Sequence, residues 1–157
     1  MTKVQSNSNL LRLIQLLSES AWLSPENIER ALADSSVQAA DVAEFVRFGE
    51  PNYTRILVYG CPQFQILVLC WRPTQGSPVH AHGSSACGVR VLTGVASETA
   101  FVSTAPDAAE VSRRQLVSGQ VIATDGRYVH KVANETKEPL VTLHVYAPPL
   151  VNVPAER

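Results

Sequence analysis

The fold is decided by one stretch of the sequence, Gly76-Ser-Pro-Val-His80-Ala-His82-Gly-Ser-Ser-Ala-Cys87-Gly-Val-Arg90-Val-Leu-Thr-Gly94. Side chains on a β-strand alternate with period 2, so this spacing predicts that His80 and His82 lie on one face of a strand. Two imidazoles on adjacent pleats are close enough to share a metal ion, and His130 offers a third imidazole further along the chain. The stretch therefore predicts a metal site, although an isolated His-x-His pair is also compatible with ordinary surface or core histidines.

Length and composition favour a single folded domain. The chain has 157 residues, of which 45% are hydrophobic and 17% are charged. These values suit one hydrophobic core and argue against disorder. We expect one domain over residues 1–157, with a helical part over 1–50 and a β-rich part over 51–157.

The charge and the cysteine content exclude several classes of partner. A formal net charge of −1 without a basic cluster argues against binding to nucleic acid or to an anionic membrane. The apolar run over residues 10–17 contains Arg12 and Gln15, so it predicts neither a signal peptide nor a membrane span. Three cysteines without a C-x-x-C pair favour a reducing compartment. We therefore expect a cytoplasmic protein, and we expect it to be a monomer.

The first fifty residues show three apolar stripes with helical spacing. Ser24, Pro25 and Glu26 are typical of a helix start, because they supply a capping hydroxyl, a proline in the first turn and an acid. Gly49 and Pro51 are expected to end the third helix. The stripes consist of Leu10, Leu13, Ile14 and Leu17, then Ile28, Ala31 and Leu32, then Val42, Phe45 and Val46. We expect these helices to pack on the outside of the part that follows.

From residue 53 onward the hydrophobic period changes to 2, which indicates β-strands. The strand-like runs are residues 53–59, 64–71, 87–101, 111–116, 120–123, 128–132 and 140–146, and glycine and proline punctuate them. Many short strands with few helices predict a mainly β sandwich or double-sheet jelly roll.

Two of these strands place polar side chains in a row. Thr142, His144 and Tyr146 share one face of the last strand, where they could form a hydrogen-bonded chain inside the fold or simply face water. Tyr53 and Arg55 share a face of the first strand, where the guanidinium could bind a carboxylate or form an edge-strand ion pair.

Cys87 has two interpretations from its residue type alone. A thiolate could complete a zinc site of two histidines and one cysteine, whereas a buried thiol would be an inert small hydrophobe. Cys61 and Cys70 belong to no pattern and carry no assigned role.

The sequence resembles the cupins and, within them, the thiol dioxygenases of the cysteine dioxygenase family. The histidine pair followed by Cys87 and Gly94 is similar to the first cupin motif, and Gly119 with His130 and Asn134 is similar to the second. The segments that resemble the family, in chain order, are Tyr53-Thr-Arg55, Leu69-Cys70-Trp71, His80-x-His82-x-x-x-x-Cys87, His130-x-Val-x-Asn134 and Leu143-His144-Val-Tyr146-x-Pro-Pro149.

The resemblance implies a fold and an activity. The implied fold is a cupin, that is, a double-stranded β-helix or jelly-roll barrel over 51–157 with the N-terminal helices packed outside. The implied cofactor is Fe(II), bound by His80, His82 and His130. The implied reaction is the oxidation of L-cysteine by O₂ to cysteine sulfinic acid in cysteine catabolism, with both oxygen atoms entering the product.

The resemblance also implies roles for the remaining site residues. Arg55, with Tyr53, would bind the substrate carboxylate, and Tyr146, oriented by His144, would be catalytic. In the family the cysteine at the position of Cys87 can form a thioether with a nearby tyrosine, here Tyr146. Related mercaptopropionate dioxygenases carry glutamine at the position of Arg55. Two alternatives therefore stay open: a dioxygenase of another small thiol such as 3-mercaptopropionate, and a non-catalytic metal-binding cupin.

Overall fold

A computed structural model describes residues 7–156, in which helices come first and strands follow. The helices are α1 (Ser8–Glu19), α2 (Pro25–Asp34) and a 3-10 helix (Ala39–Phe45). The strands are β1 (Thr54–Gly60), β2 (Gln65–Trp71), β3 (Ala86–Thr93), β4 (Val95–Phe101), β5 (Glu110–Val117), β6 (Val121–Thr124), β7 (His130–Ala133) and β8 (Leu140–Ala147). Within this part of the chain, no helix is both long enough and apolar enough to cross a membrane.

The strands form two antiparallel sheets. The larger sheet has the order β1-β2-β8-β3-β6, and the smaller has the order β5-β4-β7. Neighbouring strands in both sheets are antiparallel. This arrangement confirms the predicted mainly β fold of two sheets. The division into one domain with a boundary near residue 50 stays a prediction, and residues 1–6 and 157 lie outside the described part.

The larger sheet separates two hydrophobic cores. One core lies between this sheet and the helices, and it contains Leu143 and Val145 of β8. The other lies between the two sheets and contains Tyr146. Because side chains alternate along a strand, β8 sends its apolar residues towards the helices and the alternate positions into the barrel. The helices therefore pack on the outside of the barrel, as predicted.

Helix α2 packs directly on β3 because Gly88 has no side chain. A Cβ atom at this position would lie 2.4 Å from Ile28 Cγ2 and 2.8 Å from Leu32 Cδ1. Ser24 caps the helix as predicted, with its hydroxyl accepting a hydrogen bond from the Asn27 N–H at 3.2 Å. Just beyond the C-terminal end of α2, the Val37 carbonyl accepts a hydrogen bond from Arg90 Nε of β3.

Two predicted elements differ from the structure. The third apolar stripe forms a 3-10 helix that ends at Phe45, well before the expected stop at Gly49. The run over residues 87–101 is two strands, because Gly94 turns the chain at a φ of +83°. A side chain at Gly94 would also meet the Pro139 carbonyl oxygen, 2.4 Å from its Cβ. Both differences come from backbone geometry, to which hydrophobic spacing is insensitive.

The close approach at Gly88 gives a stability prediction. Gly88→Ala should lower the free energy of unfolding by about 1–3 kcal/mol, the usual cost of overpacking, because Ile28 Cγ2 is fixed next to its own backbone and α2 must shift. Gly60→Ala is the matched control, since a Cβ there would find only Leu57 methyl groups, at 3.8 Å and beyond. Denaturant unfolding compares the two variants. Equal stability of the two would contradict this account of the packing.

Candidate active site

Two of the three candidate ligands are held opposite each other by backbone hydrogen bonds. The His80 N–H donates to the His130 carbonyl, and the His130 N–H donates to the His80 carbonyl, both at 2.9 Å. His130 begins β7, whereas His80 forms an isolated bridge in the segment before β3. The prediction that His80 and His82 share one strand is therefore wrong. Two features prevent a continuous strand here. Pro78 has no N–H to donate to a neighbouring strand, and a turn at Gly83, where φ is +62°, follows His82.

The three imidazoles nevertheless converge. Their candidate ligand atoms all lie within 4.8 Å of one another, and they form the one such group of metal-binding side chains found in residues 7–156. His80 Nε2 and His82 Nε2 are 3.0 Å apart. His82 is 7% exposed and His130 is 2% exposed. Three histidine nitrogens facing one point are a suitable donor set for a divalent transition metal.

The second ring nitrogens of the three imidazoles are in different environments. His80 Nδ1 lies 2.8 Å from the Pro78 carbonyl, to which it can only donate. His130 Nδ1 lies 2.9 Å from Glu98 Oε2. Within the described residues, His82 Nδ1 has no hydrogen-bond partner. The contacts of His80 and His130 leave their Nε2 atoms as lone-pair donors towards the cluster.

Burial keeps two imidazoles of the cluster, His80 and His82, in the protonation state that a metal needs. It lowers the pKa of His80, and it lowers the pKa of His82 to about 3, with the neighbouring His80 and His130 contributing in the same direction. The two imidazoles are therefore neutral at neutral pH, with lone pairs available for a metal ion.

All eight side chains predicted as site residues line one cavity of about 730 Å³. The histidine cluster forms one part of its wall. Arg55 and Tyr53 form another part, together with apolar residues of the segment that follows β8, such as Leu150 and Val153. The cavity thus combines a metal-binding group, a cation and apolar surface, which suits a small molecule with a charged end.

A buried hydrogen-bonded chain leads from Trp71 to Tyr146. Trp71 Nε1 donates to Thr142 Oγ1 at 3.0 Å. Thr142 Oγ1 and His144 Nε2 are 2.8 Å apart, and His144 Nδ1 and the Tyr146 hydroxyl are 3.0 Å apart. Because the indole can only donate, Thr142 Oγ1 accepts this bond, and its own hydrogen can be donated to His144 Nε2.

This polarity determines what Tyr146 can do. Burial holds the pKa of His144 well below its usual value, with the charge of Arg55 adding to the effect, so the ring is neutral. When Nε2 accepts from Thr142, the ring proton lies on Nδ1 and is donated to the Tyr146 oxygen. In that tautomer the hydroxyl hydrogen of Tyr146 points away from His144, towards Cys87 or into the cavity.

Cys87 and Tyr146 are direct partners across the β3–β8 pair. The thiol is 2% exposed, and burial raises its pKa to about 12, an effect that a hydrogen bond from Tyr146 partly offsets. A protonated thiol is a poor metal ligand. Cys87 also lies outside the group of side chains that could bind an ion together. The geometry therefore gives the zinc-ligand interpretation of Cys87 no support and brings its side chain next to the phenol.

Arg55 and Tyr53 are each restrained by a contact with another part of the chain. Arg55 Nη1 donates to the Pro154 carbonyl at 2.9 Å. The Tyr53 ring stacks on Trp71, with 4.0 Å between the ring centroids. Both side chains line the cavity. The contact with Pro154 uses one N–H of the guanidinium and restrains its orientation.

Sequence reasoning missed two residues of this site, Glu98 and Trp71. Glu98 is only 1% exposed and contacts His130, Arg114 and Tyr128. Burial alone would raise its pKa, but hydrogen bonds from His130 and Arg114 outweigh this and the pKa is lowered. The sequence did contain one signal for Glu98, which shares a strand face with two alanines. Such a face is expected to be buried, and a buried acid requires a partner. Nothing in the local sequence indicated the contact of Trp71 with Thr142.

Comparisons with known proteins identify relatives of the whole chain. The family profile described as Cysteine dioxygenase type I matches residues 1–155. Cysteine dioxygenase type 1 of Bos taurus is 30% identical over 153 residues, which cover 94% of this chain and 76% of the bovine protein. The protein of the same name from Rattus norvegicus is 31% identical over the same shares of the two chains.

Solved structures share the fold. A Klebsiella pneumoniae protein described as having a double-stranded beta-helix domain is similar with a TM-score of 0.59 and 22% identity, over 68% of this chain and 86% of that one. An RmlC-like cupin protein from Desulfovibrio desulfuricans is similar with a TM-score of 0.51 and 26% identity, over 67% of this chain and 91% of that one. These similarities confirm the predicted cupin fold.

The geometry of the cluster predicts which histidines bind metal. His130→Ala removes one of three donors and should abolish stable metal binding. His144→Ala is the matched control, because His144 is equally buried but contacts Thr142 and Tyr146 instead of the cluster. It should retain most of its metal. Elemental analysis after anaerobic loading with Fe(II) measures both, and equal loss of metal in the two variants would contradict the ligand assignment.

Proposed function

The chain belongs to the cysteine dioxygenase type I family, a family of thiol dioxygenases, and on that premise we propose that it oxidises L-cysteine with O₂ to cysteine sulfinic acid. The proposed cofactor is Fe(II), with His80, His82 and His130 as ligands. The observation that carries the proposal is the cluster of three imidazoles in a cavity that also contains Arg55. This combination suits a substrate that has both a metal-binding group and a carboxylate.

The three-histidine donor set supports a thiol substrate. Neutral imidazoles leave the charge of a divalent ion uncompensated, so a substrate thiolate is a favourable additional ligand. When bound, iron would supply the redox chemistry between the thiol and O₂, both of whose atoms enter the product. The protein contributes the geometry, the charges and a cavity that restricts water.

Arg55 and Tyr53 would determine which end of the substrate points away from the cluster. A guanidinium binds a carboxylate through parallel hydrogen bonds, and its contact with Pro154 reduces the freedom that it would lose on binding. Stacking on Trp71 restrains Tyr53 next to it. L-cysteine, with a carboxylate at one end and a thiol at the other, fits this arrangement.

Tyr146 would act as a hydrogen-bond donor in the cavity. Burial raises the pKa of its phenol well above the usual value, with the nearby Cys87 contributing, so the hydroxyl keeps its proton. With its proton on Nδ1, His144 would donate to the phenol oxygen, which leaves the hydroxyl hydrogen for Cys87 or for the reacting groups. His144 would thus orient Tyr146 without binding the metal.

Cys87 and Tyr146 would form a thioether. The bond would join Cys87 Sγ to the ring carbon beside the Tyr146 hydroxyl, with loss of the thiol hydrogen and one ring hydrogen. The two electrons and two protons would pass to O₂, the oxidant of the proposed reaction. Direct pairing of the two residues across β3 and β8 supports this step, because opposite residues in a sheet have adjacent side chains.

Location and assembly are further parts of the proposal. All three cysteines are free, which supports a reducing compartment, and we propose a cytoplasmic monomer. Oxygen uptake by Fe(II)-loaded protein with a panel of small thiols tests the activity. No uptake with any thiol would favour the non-catalytic metal-binding cupin, and uptake with 3-mercaptopropionate alone would favour the other thiol dioxygenase.

Arg55 gives the substrate prediction. Arg55→Gln should reduce kcat/KM for L-cysteine by an amount equivalent to about 2–4 kcal/mol, because one partner of a desolvated charged pair is lost. It should reduce the value for 3-mercaptopropionate less. Arg72→Gln is the matched control, since Arg72 is ion-paired with Glu50 at 3.2 Å outside the cavity. Unchanged kcat/KM for L-cysteine in Arg55→Gln would remove the reason for preferring this substrate.

The Cys87–Tyr146 pair gives a second prediction. After turnover with L-cysteine in air, mass spectrometry should show a fraction of the protein lighter by two hydrogens, with the two peptides linked. Cys87→Gly should retain reduced activity, because it loses only the restraint on the phenol. Tyr146→Phe should lose more, because it removes the hydroxyl itself. If prolonged turnover yields no linked peptide, the thioether does not form.

A further inference from the structure

The three-stranded sheet carries a row of charged side chains that ends at the proposed metal centre. In the sheet register, Glu98 of β4 is directly opposite Arg114 of β5, and His130 of β7 is the diagonal neighbour of Glu98. Opposite and diagonal pairs on one face of a sheet are within side-chain reach. The register thus brings a cation, an anion and an imidazole together in sequence.

Glu98 divides its two carboxylate oxygens between these neighbours. Oε2 lies 2.9 Å from His130 Nδ1. Oε1 accepts from Arg114 at 2.7 Å and from the Tyr128 hydroxyl at 3.3 Å. Glu98 is 1% exposed, whereas the Arg114 side chain is 47% exposed. The arginine therefore stabilises the buried carboxylate from the solvent side, and Oε2 is directed to the histidine.

The other two histidines of the cluster have no such partner. The second nitrogen of His80 contacts a neutral backbone carbonyl, and that of His82 has no partner within the described residues. Glu98 thus supplies the single carboxylate contact to the ring nitrogens of the cluster in residues 7–156. An ionised carboxylate can only accept a hydrogen bond, so this contact requires a proton on His130 Nδ1, which leaves Nε2 as the nitrogen that can bind the ion.

We propose that Glu98 is a positioning residue of the metal centre, which holds His130 in the tautomer that binds the ion and supplies the negative charge that a three-histidine ligand set lacks. The inference rests on the proposed function only in requiring that His80, His82 and His130 bind a metal. Carboxylate partners of metal-binding histidines fix ring orientation and increase ligand basicity, and their loss typically weakens metal binding about 10–100-fold.

Metal affinity tests the proposal without relying on activity. Glu98→Gln keeps the shape of the side chain and removes its charge, and it should weaken Fe(II) binding about 10–100-fold in anaerobic chelator competition. Glu135→Gln is the matched control, because it removes the same charge from an exposed pair with Arg113 at 3.3 Å. Its affinity should equal that of the wild type. An unchanged affinity in Glu98→Gln would overturn the proposal.

A second variant separates positioning from general loss of the charged row. Arg114→Met removes the charged partner of Oε1 and leaves Oε2 on His130, so Fe(II) affinity should fall less than in Glu98→Gln. Equal losses in the two variants would assign the effect to the integrity of the ion pair and overturn the role given to the His130 contact.

The tautomer can be observed even if a variant does not fold. In metal-free wild-type protein, the ¹⁵N shifts of His130 should show the proton on Nδ1, and a proton on Nε2 would overturn the proposal. Failure of the proposed function would give a different experimental result from failure of the role of Glu98. Wild-type protein that binds Fe(II) with an affinity dependent on Glu98, yet consumes no O₂ with any thiol, would refute the dioxygenase and leave the role of Glu98 intact.

Discussion

The antiparallel pairing of β3 with β8 is the constraint on which the rest of the site depends. Its register sets Cys87 opposite Tyr146 and Val91 opposite Thr142. Side chains on a strand alternate with period 2. A slip of β8 by one residue would therefore turn its polar row towards the helices and would turn Val141, Leu143 and Val145 into the cavity. The tight fit of α2 on Gly88 fixes the position of β3 in this pair, since any other residue of β3 at that point carries a Cβ. Packing outside the barrel thus maintains hydrogen bonding inside it.

The second constraint is electrostatic. The barrel interior contains imidazoles, a phenol, a thiol and a carboxylate, and burial favours the uncharged form of several of them. Burial lowers the pKa of His82 and His144 and raises that of Cys87 and Tyr146, which in each case favours the uncharged form. Glu98 is the exception, and it keeps its charge because Arg114 and His130 compensate for the loss of water. The site therefore combines several buried neutral groups with one localised anion.

Local patterns in the sequence predicted much of this structure, and long-range pairing explains what they missed. Alternation along residues 140–146 indicated a strand with a polar and an apolar face, and the structure has both faces. Motif spacing correctly predicted that the three histidines converge, although His80 and His82 lie outside a strand. Glu98 escaped notice because its partners are on two other strands, and no local periodicity reports which strands become neighbours. The 3-10 helix was missed for a different reason, since apolar spacing alone does not distinguish it from an α-helix.

The segment after β8 returns along the edge of the larger sheet, where Glu156 forms a parallel bridge with Ile56. On its way it adds Leu150, Val151 and Val153 to the cavity wall, and its Pro154 carbonyl contacts Arg55. Part of the cavity wall is thus supplied by a segment of the chain that is separate from the segments with the histidines. Mutations, insertions or deletions in this segment can reshape the entrance while the ligand set stays unchanged. The architecture allows related proteins to diverge in the molecules they accept and still keep the same cluster of three histidines.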